Sequence, residues 1–234
     1  MRRPLVKICG LTSEQEARAC MELGADLLGF IFHASSRRCA DPAMVSLVRS
    51  GGARKVGVFV KQGVSDVVAL THRCGLDMVQ LHGGHGRDGN HGFEVCGQLV
   101  SALGRERIIK VFWPERYASS RALQDDLERF APVCGWMLLD AGKGGGGHGR
   151  GFDPGLLSGV RSPRPWLLAG GLGPTTLPAV LTALEEPGLP RPHGVDMSSG
   201  VETAPGKKNL EEVKQVMRII YSGAPERSVV EREE

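Results

Sequence analysis

Eight times along the chain a short apolar, β-branched run gives way to a longer amphipathic one, and this alternation limits the possible folds more than any other feature. The strand candidates are residues 5–9, 26–32, 55–60, 77–81, 107–112, 135–140, 165–169 and 194–198. Helices are expected to begin near Ser13, Pro42, Val64, Phe93, Ala118, Asp153, Pro174 and Lys207. The clearest start signals are Thr12-Ser13-Glu14, with its capping hydroxyls, and Gly173-Pro174-Thr175, with its early proline. Strands apolar on both faces call for a parallel sheet covered by helices. Eight such units in a row predict an α/β fold, a (β/α)8 TIM barrel of eight parallel strands; an open, doubly wound sheet is the alternative. No internal repeat or proline-rich linker divides the 234 residues. A single domain over residues 1–221 is therefore expected, followed by a polar, charged and disordered tail over 222–234.

Charge and cysteine usage narrow the function. The 29 Lys and Arg residues nearly balance 26 Asp and Glu, leaving a formal +3. That argues against nucleic acid or a membrane surface recognised through bulk charge, and leaves a small phosphorylated molecule as the expected partner. Cys9, Cys20, Cys39, Cys74, Cys96 and Cys134 form no CxxC pair and no regular spacing, so neither a disulfide framework nor a metal site is expected. The basic start, MRRP, is followed by no apolar stretch of signal-peptide length, and the longest apolar runs are strand-length. A cytoplasmic protein is expected. Monomer and homodimer stay open, because an apolar helix face reads alike in a core and in an interface.

In a barrel, chemistry sits on the rim at the carboxyl ends of the strands. Cys9 ends the first strand and Asp140 the sixth, so both are expected to face one pocket, a thiol and a carboxyl able to act as an acid–base pair. Lys7 lies two residues before Cys9 and leaves the strand on the same face, where its charge would favour a thiolate. Gly170-Gly171-Leu172-Gly173 after strand seven and Ser198-Ser199-Gly200 after strand eight have the small residues that let backbone amides approach a phosphate. Gln80 and His82 bracket the end of strand four, and Arg37 and Arg38 follow strand two, a basic rim suited to an anion. Two glycine-rich stretches, residues 82–92 and 142–151, fall on the same rim. Buried structural thiols and ordinary tight turns are the plainer readings of Cys9 and of the glycine loops.

Taken in order, these stretches resemble the phosphoribosylanthranilate isomerase family. The matching segments are VKICGLT, GADLLGFIF, VGVFV, VQLHG, LLDA, GGGHGRGFD, LLAGGLGP and GVDMSSGVETAPGKK, spread from residue 6 to about residue 208. The resemblance implies a barrel and a cofactor-free Amadori rearrangement of an aminoaldose to an aminoketose in tryptophan biosynthesis. It implies Asp140 as general acid and Cys9 as general base. It places the substrate phosphate on Gly170, Gly171, Ser199 and Gly200, and the anthranilate carboxylate on Arg38 with His82 nearby. Asp196 carries over as a polar strand-eight residue facing the pocket, with no assigned role. The loop 143–151 is expected to close over the substrate and exclude water. Three positions depart from the family pattern. Ser36-Arg37-Arg38 stands for the usual Ser-Pro-Arg, which leaves Arg37 as an alternative to Arg38; His148 replaces a small hydroxyl residue, and Asn209 the usual Asp. The rivals are the sister aminoaldose isomerase of histidine biosynthesis, an enzyme serving both substrates, a silent sugar-phosphate-binding barrel, and a metal or redox protein. An aspartate is the base in the first rival, which Cys9 counts against.

Overall fold

The computed structural model describes residues 3–83, 91–141, 154–186 and 189–222. Eight parallel strands close into a barrel in sequence order, β8 pairing back onto β1. They are β1 (Leu5–Cys9), β2 (Leu27–Ile31), β3 (Arg54–Phe59), β4 (Met78–Leu81), β5 (Ile108–Phe112), β6 (Trp136–Asp140), β7 (Trp166–Ala169) and β8 (Gly194–Met197). Among the described residues seven α-helices pack outside: α1 (Glu14–Glu22), α2 (Pro42–Leu47), α3 (Val64–Cys74), α4 (Phe93–Leu103), α5 (Ser120–Phe130), α6 (Leu177–Ala183) and α7 (Leu210–Tyr221).

The two-residue period of a strand sorts its side chains between two cores. Leu27, Val56, Met78, Ile109, Val111, Leu138 and Leu167 fill the barrel interior. Their sequence neighbours, among them Val6, Ile8, Leu28, Phe30, Val79 and Leu168, meet the helices. Because both faces are buried, the strands read as continuous apolar runs. The side chains of Asp26 and Asp77 secure the amino-terminal ends of neighbouring strands. Asp26 accepts the Val6 amide at 2.9 Å and Asp77 the Lys55 amide at 2.7 Å, each just before its own strand begins.

The helix expectations need correction in three places. After β6 the described chain holds only a 3-10 turn, Pro154–Leu157, where a helix was predicted to start near Asp153; Gly155 and Gly159, the latter at φ 76°, keep the turn from propagating. The helix predicted near Pro174 begins at Leu177, because the Thr176 hydroxyl is bonded to the loop, donating to Gly171 O at 2.9 Å and accepting from Gly173 N–H at 3.0 Å. Lys207 lies in a two-stranded antiparallel hairpin, β9 (Glu202–Ala204) and β10 (Lys207–Lys208), and α7 begins after it. Asn209 accepts from the amides of Glu211 and Glu212, so the departure from aspartate keeps the cap. Ser13 caps α1 as predicted. Most of the glycine-rich stretch 82–92, all of 142–151 including His148, and the tail beyond Ser222 lie outside the described residues. Among the described residues no helix is long and apolar enough to cross a membrane.

Candidate active site

Strand register decides which side chains meet at the rim. Asp140 on β6 pairs with Ala169 on β7, Ala169 with Asp196 on β8, and Asp196 with Lys7 on β1. Alanine at the middle of this row leaves space between the two carboxyls. Cys9 sits two residues further up β1, opposite Gly29 of β2. A Cβ on Gly29 would come within 2.9 Å of Cys9 Sγ and 3.1 Å of Lys7 Nζ, so the missing side chain is the room that thiol and ammonium share. Lys7 is fully buried, and its Nζ donates to Asp196 Oδ1 at 2.9 Å. Burial works against its charge, but Asp196 and the Cys9 sulfur outweigh that and hold the ammonium above its usual range. Burial pushes the Cys9 thiol up, opposed by Lys7, and pushes the Asp196 carboxyl up in the same way.

A cavity of about 510 Å³ opens above this row. Cys9, Asp140, Asp196, Arg38, Gln80 and His82 line it, as do Gly170, Gly171, Ser198 and Ser199. The sequence-predicted acid, base, arginine and phosphate loops thus converge on one space. Arg38 lines it and Arg37 does not. Gly200 is also absent from the lining. A Cβ there would sit 2.1 Å from Leu172 O, and one on Gly173 would sit 2.3 Å from Gly200 O. These glycines let the turns after β7 and β8 lie backbone against backbone. Gly170 and Gly171 have φ of 121° and 64°, conformations that side chains resist, and the 3-10 turn Ser199–Val201 presents its first amides without intrahelical acceptors.

His82 is a neutral imidazole at physiological pH. Burial, then the nearby charges of Lys7, Lys110 and Arg116, lower its pKa to about 4. Among the described residues its Nδ1 and Gln80 Oε1 are buried polar atoms with no hydrogen-bond partner, both on residues that line the cavity. Sequence reasoning missed the wall beside them. Trp113 packs edge-on to His82 at 5.1 Å, and the Arg116 guanidinium lies 4.7 Å from the Trp113 ring centre. Trp113 directly follows β5, so the rim rule that found Cys9 and Asp140 also applies to it. His33 and Lys61 line the cavity too and were likewise passed over. All six cysteines are free thiols, and among the described residues no cluster of His, Cys, Asp or Glu could hold a metal ion.

Closed barrel and rim chemistry together define a TIM-barrel enzyme whose site combines a thiol, a carboxyl, an arginine and paired small-residue turns. The family model for N-(5'-phosphoribosyl)anthranilate isomerase matches residues 6–218. A relative from Maridesulfovibrio salexigens, an N-(5'-phosphoribosyl)anthranilate isomerase, is 47% identical over 209 residues, covering 89% of this chain and 94% of the relative. The crystal structure of phosphoribosyl anthranilate isomerase from Thermotoga maritima matches with a TM-score of 0.77 and 29% identity, covering 94% of this chain and 99% of that one. Another, of a phosphoribosyl anthranilate isomerase in complex with reduced 1-(o-carboxyphenylamino)-1-deoxyribulose 5-phosphate, matches with a TM-score of 0.71 and 29% identity over 92% of this chain and 97% of that one. The chain belongs to the N-(5'-phosphoribosyl)anthranilate isomerase family, whose members are aldose–ketose isomerases of tryptophan biosynthesis.

Proposed function

We propose that the chain converts N-(5-phosphoribosyl)anthranilate to 1-(2-carboxyphenylamino)-1-deoxyribulose 5-phosphate by an Amadori rearrangement, with Asp140 as general acid and Cys9 as general base. The observation that carries this reading is the convergence of Cys9, Asp140, Arg38 and both small-residue turns on one cavity. Its volume, about 510 Å³, suits a ligand of this size.

The electron flow assigns each group its task. Protonation of the furanose ring oxygen by Asp140 lets the C1–O bond break as the amine lone pair forms a C=N iminium. The cation acidifies the C2–H bond, and the Cys9 thiolate takes that proton. The C–H electrons form C1=C2 and neutralise the nitrogen, giving an enolamine. Loss of the enol proton and protonation at C1 then give the ketone. Lys7, held charged by Asp196, favours the thiolate. The amides of Gly170, Gly171 and Ser199 on the cavity wall, with that of Gly200 next in the turn behind them, take the phosphate, and Arg38 takes the anthranilate carboxylate with the neutral His82 beside it. In this reading residues 1–221 form one domain acting in the cytoplasm on a small phosphorylated molecule, as a monomer or a homodimer.

The deciding experiment follows loss of phosphoribosylanthranilate fluorescence with the parent, Cys9→Ala and Asp140→Asn. Turnover by the parent and a loss of at least ~100-fold in each variant are expected, the lower end of what general acid–base groups contribute. Full activity in both variants would reject these two roles while keeping the substrate; a folded but inactive parent would reject the reading.

A further inference from the structure

Arg38, on the cavity wall, is bonded to a charge cluster outside the catalytic row. Its stem crosses the end of β1, where Gly10, at φ 81°, leaves it room: a Cβ on Gly10 would lie 2.8 Å from Arg38 Cδ. Glu202, at the start of β9, grips one edge of the guanidinium. Nε donates to Oε1 and Oε2 at 3.0 Å each, and Nη2 donates to Oε2 at 2.7 Å. The Glu202 side chain is 3% exposed, and Lys208 on β10, fully buried, donates to its Oε1 at 2.6 Å. Lys208 also donates to Ser198 O at 3.3 Å, in the turn that follows β8. The Gly206 amide adds a bond to Glu202 Oε1 at 3.3 Å. At φ 83°, Gly206 turns the hairpin back against the arginine loop, with a Cβ site 3.0 Å from Arg37 O. Thr12 anchors the same turn, donating to Gly206 O at 2.7 Å.

From this geometry we infer that Glu202 is a positioning residue for substrate recognition, and that the β9–β10 hairpin exists to hold it against Arg38. The inference rests on the function proposed above. A guanidinium presents two edges, each able to meet a carboxylate in fork geometry. Glu202 occupies the Nε–Nη2 edge, so the Nη1 end is aimed for a second carboxylate, the one on the substrate ring. One acid between two cations leaves the cluster a net positive charge for that anion. Without Glu202, Arg38 would face Lys208 with no anion between them, and its long side chain would be free to turn away from the cavity.

The test is a double-mutant cycle of Glu202→Gln and Arg38→Ala. It is read by calorimetric binding of reduced 1-(o-carboxyphenylamino)-1-deoxyribulose 5-phosphate, with kcat and KM measured alongside. Glutamine keeps the shape and one acceptor but removes the charge. Glu202→Gln is expected to weaken binding and raise KM by about tenfold, with kcat changed less than about threefold, in line with loss of a charge-assisted bond. In the Arg38→Ala background the same change should have almost no further effect. An equal loss in both backgrounds, or unchanged affinity in the parent background, would overturn the inference. Glu202→Gln/Lys208→Met, which leaves no unpaired buried ammonium, repeats the measurement if the single variant unfolds. Because binding needs no turnover, a parent that binds but does not react would defeat the proposed reaction and still test Glu202; a parent that does not bind would defeat both.

Discussion

Lys7 is the most informative single residue of the site. A lysine side chain with no exposed surface is costly to charge, yet its ion pair with Asp196 and its closeness to Cys9 keep it an ammonium. The sulfur beside it is pushed up by burial and drawn back by that ammonium. The rate should therefore climb with pH through the neutral range as the thiolate fraction grows. Lys7→Gln, which can still donate to Asp196, should move this rising limb of kcat/KM to higher pH, because the thiolate loses the ammonium beside it. A pH–rate profile checks it, and an unmoved limb would remove Lys7 from the mechanism. His82 gives a second pH effect. Its folded pKa, about 4, lies below the ordinary 6.5, so between those values the unfolded chain binds the extra proton. The stability contributed by neutral His82 is complete above pH ~6.5 and is lost as pH falls toward 4. The melting temperature should drop over that window, and His82→Gln should flatten the drop. Cys9, Asp140 and Lys7 were legible in the sequence because strand ends and the two-residue period locate them. The Arg38–Glu202 pair was not, since it joins positions 164 residues apart and neither local pattern points to the other.

Among the elements, the turns after β7 and β8 depend on each other. Neither holds a ligand pocket alone; the close approach of Gly173 to Gly200 makes them one surface. Gly200→Ala would put a methyl 2.1 Å from Leu172 O, and backbone on both sides cannot yield without parting the turns. The expected result is a KM raised at least about tenfold and a stability loss of about 1–3 kcal/mol, typical of overpacking. Steady-state kinetics and thermal unfolding of the variant check both, and a normal KM would show that phosphate binding does not need the paired turns. All eight strands could be read from sequence because burial on both faces makes each a continuous apolar run. The helices were harder. The sequence around Asp153 has a helix-like start, but Gly155 and Gly159 follow too soon for more than one turn. At Lys207 the chain instead pairs as a hairpin strand, and Lys208 beside it is spent on an ion pair with Glu202, so the helix waits for its cap at Asn209. Trp113 and Arg116 went unread for a different reason. Their value lies in Arg116 covering the Trp113 ring and Trp113 meeting His82 edge-on, across β4 and β5.

At the level of the whole molecule, chemistry and closure occupy opposite ends of the barrel. The catalytic row and its turns lie where the strands end. The seam where the first strand meets the last helix is fastened at the other end, where the strands begin. Arg3 meets Asp26 through two bonds of 2.7 Å, Asp26 also holds the Val6 amide of β1, and the Arg3 guanidinium lies 5.0 Å from the Tyr221 ring centre. Tyr221, the last residue of α7, donates its hydroxyl to Gly24 O at 2.7 Å, and Gly24, at φ 103°, has no Cβ to obstruct it. One small network thus joins the first strand, the entry to the second and the last helix. Tyr221→Phe should cost about 1 kcal/mol, the usual net worth of one hydrogen bond, and Asp26→Asn a similar amount for its half-buried fork. Because Arg3 touches both, the two losses should not add: the double variant should depart from the sum by about 0.5 kcal/mol or more. Thermal unfolding of the three variants measures this, and kcat/KM should stay within about twofold of the parent throughout, since no group of the seam lines the cavity. Additive losses would mean that Arg3 does not link the first strand to the last helix, and a falling kcat/KM would mean that strain at the seam reaches the rim through the β1–β8 pairing that carries Lys7 and Asp196.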